Sequence, residues 1–310
     1  MLYKSMLTTA LLAAPAAVAA RGTLGFAVGN TTPDNKCKTT SDYEKDFEAI
    51  KANSEAKLIR TYSNTDSFGN PCDTAGQILP AAKDAGLQVL VGMWPDGGAY
   101  SREKKALVDA DLEQYGDTVY GVTVGSEGIY RGTYSEKDLL GWIDDMHKTF
   151  PDTLIGTADS WNGWANGSMD GIITSGIKLI LANGFPYWQY QDINNATKTF
   201  FYTMSEALAH VQEVSGSLDD IHFMNGETGW PGDGGDDAGA AKAGDKNMET
   251  FWKESVCGAL EWGLDLFWFE AFDEPNKADA VGDDGVAASE KFWGSFTADH
   301  KPKFDMKCGN

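Results

Sequence analysis

Gln88-Val89-Leu90-Val91-Gly92-Met93-Trp94 and Val119-Tyr120-Gly121-Val122-Thr123-Val124-Gly125 are two nearly continuous apolar runs, and the segment between them, from Ser101 to Tyr115, carries apolar residues at three- and four-residue spacing. A run without in-out alternation suits a strand covered on both faces, and a helix-length segment between two such runs is the crossover that parallel strands require. The unit is strand, helix, parallel strand. Working outward, similar runs stand at Leu24–Gly29, Lys57–Tyr62, Leu154–Ala158, Lys178–Ala182, Ile221–Asn225 and Asp265–Glu270, which brings the expected strands to eight. Helical patterns occupy Ala75–Ala85, Thr197–Val214 and Asp245–Trp262, and the piece between Gly163 and Gly176 has the poorest periodicity. Ser41 with Glu44, and Ser135 with Asp138, have the spacing of a capping box. Eight such units predict an α/β fold, a (β/α)8 TIM barrel built as a single domain. The alternative is a doubly wound open sheet, but no Gly-x-Gly-x-x-Gly or Walker loop follows any of the runs.

Residues 1–20 have a charged start, an apolar stretch from Met6 to Ala17 and the small-residue pattern Val18-Ala19-Ala20. They read as a signal peptide, leaving 21–310 as the folded domain of an exported protein. No later stretch has the ~20 apolar residues of a membrane helix, and the polar end Lys307-Cys308-Gly309-Asn310 argues against a lipid-linked tail, so no membrane anchor is expected. A formal net charge of -21 disfavours nucleic acid as a partner, because such binding rests on Lys and Arg neutralising phosphate. A neutral polymer is indifferent to that charge. Cys37, Cys72, Cys257 and Cys308 contain no Cys-x-x-Cys pair, so disulfides are expected rather than a metal site. Of three possible pairings, Cys37–Cys72 and Cys257–Cys308 is preferred, since each pair lies near one end of the chain and closes a loop of moderate length. Sequons at Asn30, Asn166 and Asn195 fit the same secretory route.

In a barrel of this kind, chemistry sits where strands end. The fourth expected strand exits at Gly125-Ser126-Glu127-Gly128, the seventh at Asn225-Gly226-Glu227-Thr228-Gly229-Trp230, and the eighth at Phe269-Glu270-Ala271-Phe272-Asp273-Glu274. Strands four and seven face each other across a closed eight-stranded mouth, so Glu127 and Glu227 can flank one ligand. Tyr62, Trp94, Trp161, Trp188, Trp230 and Phe272 also stand at strand exits, where rings can stack on sugars. The four histidines show no metal-binding spacing and no Gly-x-Ser-x-Gly elbow occurs; the run Gly232–Asp237 lacks the pattern of a calcium loop and reads as a mobile loop. No metal and no cofactor are expected.

The ordered series Gly25-Phe26-Ala27-Val28-Gly29, Arg60-Thr61-Tyr62, Gly92-Met93-Trp94-Pro95-Asp96, Gly121–Glu127, Asn183-Gly184-Phe185-Pro186-Tyr187-Trp188-Gln189, Gly226–Pro231 and Phe269–Pro275 resembles glycoside hydrolase family 17, in its fungal cell-wall β-1,3-glucanase and glucanosyltransferase branch. The resemblance spans nearly the whole chain after residue 20. It implies a retaining enzyme that cleaves internal β-1,3-glucosidic bonds, with Glu127 as acid/base and Glu227 as nucleophile, about 5–5.5 Å apart. It also implies that Glu274 and Lys277 support the acid/base, and it leaves open whether the acceptor is water or another glucan. Tyr187 is expected to orient the nucleophile by donating to it. Tyr62, Trp94, Asp96, Asn183, Trp188, Trp230 and Phe272 are the expected substrate contacts. Ser126 departs from the Asn that usually precedes the acid/base, so its contact to a sugar hydroxyl is expected to be weaker or replaced. The expected partner is β-1,3-glucan, met by a secreted, wall-associated monomer. The rival reading is a non-catalytic glucan-binding or structural wall protein on the same scaffold.

Overall fold

The computed structural model describes residues 20–66, 68–281 and 287–309. Apart from Ala20, the expected signal peptide lies outside the described residues.

Eight parallel strands close into one barrel in sequence order: β1 (Leu24–Ala27), β2 (Leu58–Arg60), β3 (Gln88–Met93), β4 (Val119–Ser126), β5 (Ile155–Ser160), β6 (Leu179–Asn183), β7 (His222–Thr228) and β8 (Leu266–Trp268). Each overlaps an expected run. The open-sheet alternative is excluded by the β1–β8 pairing, in which Leu24, Gly25 and Phe26 lie beside Leu266, Phe267 and Trp268. Leu58, Leu90, Leu179, Leu181, Met224 and Phe267 form one buried cluster, and a larger cluster joins strands such as β1 and β6 to the surrounding helices. Side chains two apart on a strand share a face, so Arg60 lies on the same face of β2 as Leu58.

The helices are α1 (Thr40–Asn53), α2 (Thr74–Ala85), α3 (Tyr100–Asp109), α4 (Glu136–Thr149), α5 (Trp161–Ala165), α6 (Asp170–Thr174), α7 (Ile193–Ser215), α8 (Asp245–Phe251) and α9 (Cys257–Trp262). The capping box at Ser135 and Asp138 forms as expected. The one expected at Ser41 and Glu44 does not: α1 starts earlier, and Thr39 is capped by Asp42, whose carboxylate accepts from the Thr39 backbone at 3.0 Å. The helix expected over Ser101–Tyr115 stops at Asp109, since Asp111 adopts a φ of 51°, and a tighter helix (Leu112–Thr118) completes the crossover. A π-turn, Trp252–Val256, joins α8 to α9 within the expected Asp245–Trp262 span. Both expected disulfides are present, Cys37–Cys72 and Cys257–Cys308. No helix among the described residues is long and apolar enough to cross a membrane.

Candidate active site

Glu127 follows β4 in a conformation its sequence neighbours make possible. Its φ of 56° is left-handed, a state that costs a non-glycine residue about 1–2 kcal/mol. Several bonds hold it there: Glu127 N donates to Ala158 O at 3.0 Å, Arg131 N to Glu127 O at 2.9 Å, and Ile129 N to the buried Asp159 carboxylate on β5 at 3.1 Å. A methyl group at Gly128 would overlap the Tyr134 ring, so glycine is what lets the turn close. The Glu127 carboxylate receives Asn183 Nδ2 at 3.0 Å and faces Arg131 Nη1 at 3.4 Å. Burial first, and Glu227 second, push the Glu127 carboxyl up to about 7.

Glu227 sits near the end of β7, opposite, where the β6–β7 register shifts so that Asn183 pairs with Glu227. Its Oε1 receives Arg60 Nη1 at 3.0 Å and Ser126 Oγ at 3.3 Å. Arg60 has no exposed surface, and its second nitrogen donates to Ser126 Oγ at 3.2 Å. The two carboxylates are therefore bridged through Ser126 and Asn183 but stand in opposite surroundings. Tyr62 lies close enough to Glu227 that burial, and then that charge, raise its phenol well above its ordinary value, yet its hydroxyl makes no hydrogen bond of standard geometry.

Both glutamates line a cleft of about 880 Å³ that also takes in Tyr62, Trp94, Asp96, Arg131, Phe272 and Glu274. One wall holds Lys277 among three carboxylates, with Nζ 3.0 Å from both Glu270 oxygens, 3.4 Å from Glu274 and 3.7 Å from Glu290. Burial pulls the lysine's pKa down, but the three carboxylates outweigh it and hold Lys277 above its ordinary value. Burial, and Glu274 after it, push Glu270 well above the carboxylate range. Among the described residues no group of His, Cys, Asp and Glu side chains is arranged to hold a metal ion.

Several expected site residues stand elsewhere. Tyr187 is packed against Trp188, Trp230 and Trp293 and donates its hydroxyl to the Asp236 carbonyl, away from Glu227. Trp230 is fully buried with its indole N–H on Lys242 O at 2.8 Å, and Trp188 stacks on Trp293 outside the cleft. Trp161 opens α5, also outside the cleft. Asn183 is buried on the Glu127 carboxylate, and Ser126 faces inward to Glu227 and Arg60; neither is presented to a sugar first. Glu274 and Lys277 make no hydrogen bond to Glu127 among the described residues; they belong to the cluster around Glu270. The Gly232–Asp237 loop is pinned, with Asp233 and Asp245 exchanging backbone-to-carboxylate bonds and Asp237 accepting from Ala243 N. Asn30 has its amide committed to Ser63 O, Thr65 O and Thr74 in the cleft wall, whereas Asn166 and Asn195 are exposed. Arg60, Asp159, Arg131, Glu270 and Glu290 were missed as site residues. Arg60 was detectable as a charge inside an apolar run and Arg131 by its four-residue spacing from Glu127, but nothing local marks Glu290.

The BtgE/BtgC glycoside hydrolase domain family matches residues 25–294. A glucan 1,3-β-glucosidase of Arthroderma benhamiae is 46% identical over 309 residues, covering 99% of this chain and 98% of its own. One of Saccharomyces cerevisiae is 36% identical, covering 97% of this chain and 96% of its own. Among solved structures, a glycoside hydrolase family 17 β-1,3-glucanosyltransferase of Rhizomucor miehei superposes with a TM-score of 0.76 at 23% identity, over 92% of this chain and 98% of the other, which establishes a common fold. The family match reaches all eight strands and both glutamates at the barrel mouth: the chain belongs to the BtgE/BtgC glycoside hydrolase family.

Proposed function

We propose that this protein is a retaining glycosidase that cleaves internal β-1,3-glucosidic bonds and passes the glycosyl group to water or to a second glucan. The observation that carries this reading is the opposed setting of two carboxylates in one cleft. Glu227 faces a buried guanidinium and a hydroxyl, which favour an anion ready to attack. Glu127 is pushed up to about 7 by burial and by Glu227, so it holds a proton to donate below neutrality. In the first step Glu127 protonates the glycosidic oxygen while Glu227 bonds to the anomeric carbon. In the second, Glu127 takes the proton of the acceptor hydroxyl as the Glu227 bond breaks. Tyr62, whose hydroxyl lies beside Glu227 but outside standard hydrogen-bond geometry, takes the orienting part expected of Tyr187. Trp94 and Phe272 supply sugar-facing rings, and Asp96 a polar contact, along the same wall. The linkage follows the names of the fungal relatives.

Chemical rescue tests the roles. Glu227→Gly with formate should regain turnover of a glucosyl donor bearing a good leaving group, and Glu127→Ala with azide should yield a β-glucosyl azide. Exchanged patterns would reverse the assignment, full activity in either variant would remove that glutamate from the mechanism, and a wild-type protein inert on β-1,3-glucan would leave the binding-protein reading in place. Oligosaccharide products longer than the donor, at millimolar donor concentration, would establish transfer, and strictly shorter ones hydrolysis alone. The apolar leader at residues 1–20, the two disulfides and exposed sequons support export to the wall of a domain spanning 21–310. Glycopeptide mass spectrometry should find glycan at the exposed Asn166 or Asn195 and none at Asn30, whose amide is half-buried against the Ser63 and Thr65 carbonyls.

A further inference from the structure

The reading above has Glu127 first lose and then regain a proton, and the following inference rests on it. Arg131 lies between two carboxylates of the cleft wall, Nη1 3.4 Å from Glu127 Oε2 and Nη2 3.9 Å from Asp96 Oδ2. Both separations exceed the ~2.7–2.9 Å of a fully formed charge-assisted hydrogen bond, so neither carboxylate holds the guanidinium tightly and Glu127 is the nearer of the two. Its Cζ lies 4.9 Å from the centre of the Trp94 ring, a flat surface along which a planar group can slide with little loss of contact. The backbone ties Arg131 to the same turn, since Arg131 N donates to Glu127 O at 2.9 Å, and Nη2 also donates to the Ser126 carbonyl.

The charges around Glu127 leave this part to Arg131. Glu227 on β7 and Asp159 on β5 are carboxylates, and Asn183 on β6 is neutral. The Tyr134 phenol packs against the turn. Arg60 on β2 is engaged by Glu227, the Gly226 carbonyl and Ser126. Asp96, which follows β3, faces Arg131 from the side away from Glu127's own contact.

We propose that Arg131 is a positioning residue whose guanidinium, anchored on the Ser126 carbonyl, closes onto Glu127 and away from Asp96 when Glu127 gives up its proton, and so keeps the acid/base ionised and aimed for the second half of the reaction. In the first step the Glu127 proton goes to the departing oxygen as the glycosidic bond breaks and Glu227 bonds to the anomeric carbon, and the new Glu127 carboxylate is met by Arg131. In the second, the acceptor O–H proton goes to Glu127 while its oxygen bonds to the anomeric carbon and the Glu227 ester bond breaks. Arg131 then relaxes to its resting place between Glu127 and Asp96.

Full kinetics of the mature protein and of Arg131→Met, Arg131→Lys and Asp96→Asn test this. The alkaline limb of kcat/KM should move up by about one pH unit in Arg131→Met, a factor of about ten in the ionisation equilibrium. It should move down in Asp96→Asn, where the guanidinium is freed for Glu127, and stay near wild type in Arg131→Lys. With a dinitrophenyl donor, whose departure needs no acid, Arg131→Met should accumulate glycosyl-enzyme, and azide, which needs no base, should restore turnover about tenfold. A limb that stays put or moves the same way in both variants, or azide without effect on Arg131→Met, overturns the proposal. Should Arg131→Met not fold, the direction of the shift in Asp96→Asn decides alone. Glu127→Ala separates the two levels: if it loses the alkaline limb while Arg131→Met leaves it unmoved, only the part given to Arg131 fails. If Glu127→Ala keeps the limb, the acid/base assignment and this inference fail together.

Discussion

Gly226 has no side chain because its surroundings leave room for none. A methyl group there would overlap Asn183 Oδ1 and lie 2.9 Å from Leu181 Cβ and 3.1 Å from Arg60 Nη1. Gly226→Ala must displace Asn183, which holds Glu127, and crowd the arginine that holds Glu227, and a shift near 1 Å at a reacting group costs about 10²-fold. Steady-state assays should therefore show kcat/KM falling by about that factor, with wild-type values refuting the role of this packing. In the proposed mechanism Glu127 acts as acid only while protonated, so kcat/KM should decline as pH rises through about 7, and a limb near pH 4 to 5 would contradict the assignment. The stability consequence has a fixed sign. The folded Glu127 retains a proton between about 4.3 and 7 that the unfolded chain has lost, so ionising it opposes folding and stability falls as pH rises through that window. Glu127→Gln should accordingly melt higher than wild type at pH 8, with the advantage fading below pH 4. Thermal melts across that range check it.

Among the elements, the turn between β4 and α4 is the one the chemistry depends on, and it is strained at one end and capped at the other. Glu127 is left-handed, and seven residues after Gly128 the Ser135 capping box starts α4 with Ser135 Oγ accepting from Asp138 N at 3.2 Å. Replacing Ser135 by Ala should lower unfolding free energy by about 1 kcal/mol in urea titrations. Because Asp159 holds Ile129 independently of that cap, activity should survive the change; its loss would mean that the cap, not β5, fixes the turn. Strand positions and most helices were legible in apolar periodicity, whereas the onset of α1 and the break at Asp111 were not. Hydroxyl and carboxylate residues at Thr39, Ser41, Asp42 and Glu44 offer competing caps, and the winner depends on where the incoming chain is tied, here next to the Cys37–Cys72 bond.

At the scale of the molecule, the two disulfides fasten opposite ends of the chain to the barrel. Cys257–Cys308 closes a loop of 51 residues and holds a tail whose Met306 carbonyl accepts the Trp252 indole N–H at 3.1 Å. Opening it by Cys308→Ser should lower stability by about 2–4 kcal/mol, through the loop-closure entropy restored to the unfolded chain. Cys37–Cys72 joins segments beside the cleft wall, where Thr31 bridges Cys37 and Asn30 reaches Ser63 and Thr65. Cys37→Ser should therefore raise KM as well as lower the melting temperature, and an unchanged KM would show that the wall stands without it.

Sequence alone was enough to expect the barrel, to prefer one of three disulfide pairings and to single out the two glutamates. Each follows from local pattern: continuous apolar runs at regular spacing, cysteines near each chain end, and carboxylates set directly after opposite strands. Tertiary structure alone decided which groups surround those glutamates. Arg60 reaches Glu227 across 167 positions of chain and Asn183 reaches Glu127 across 56, contacts created by closing the barrel rather than by any neighbour in sequence. The aromatics divide for the same reason. Trp94 and Trp230 both stand at strand exits, but only the path of the later loops, one burying Trp230 under Lys242 and the other leaving Trp94 beside Arg131, decides which ring meets the core and which meets the cleft.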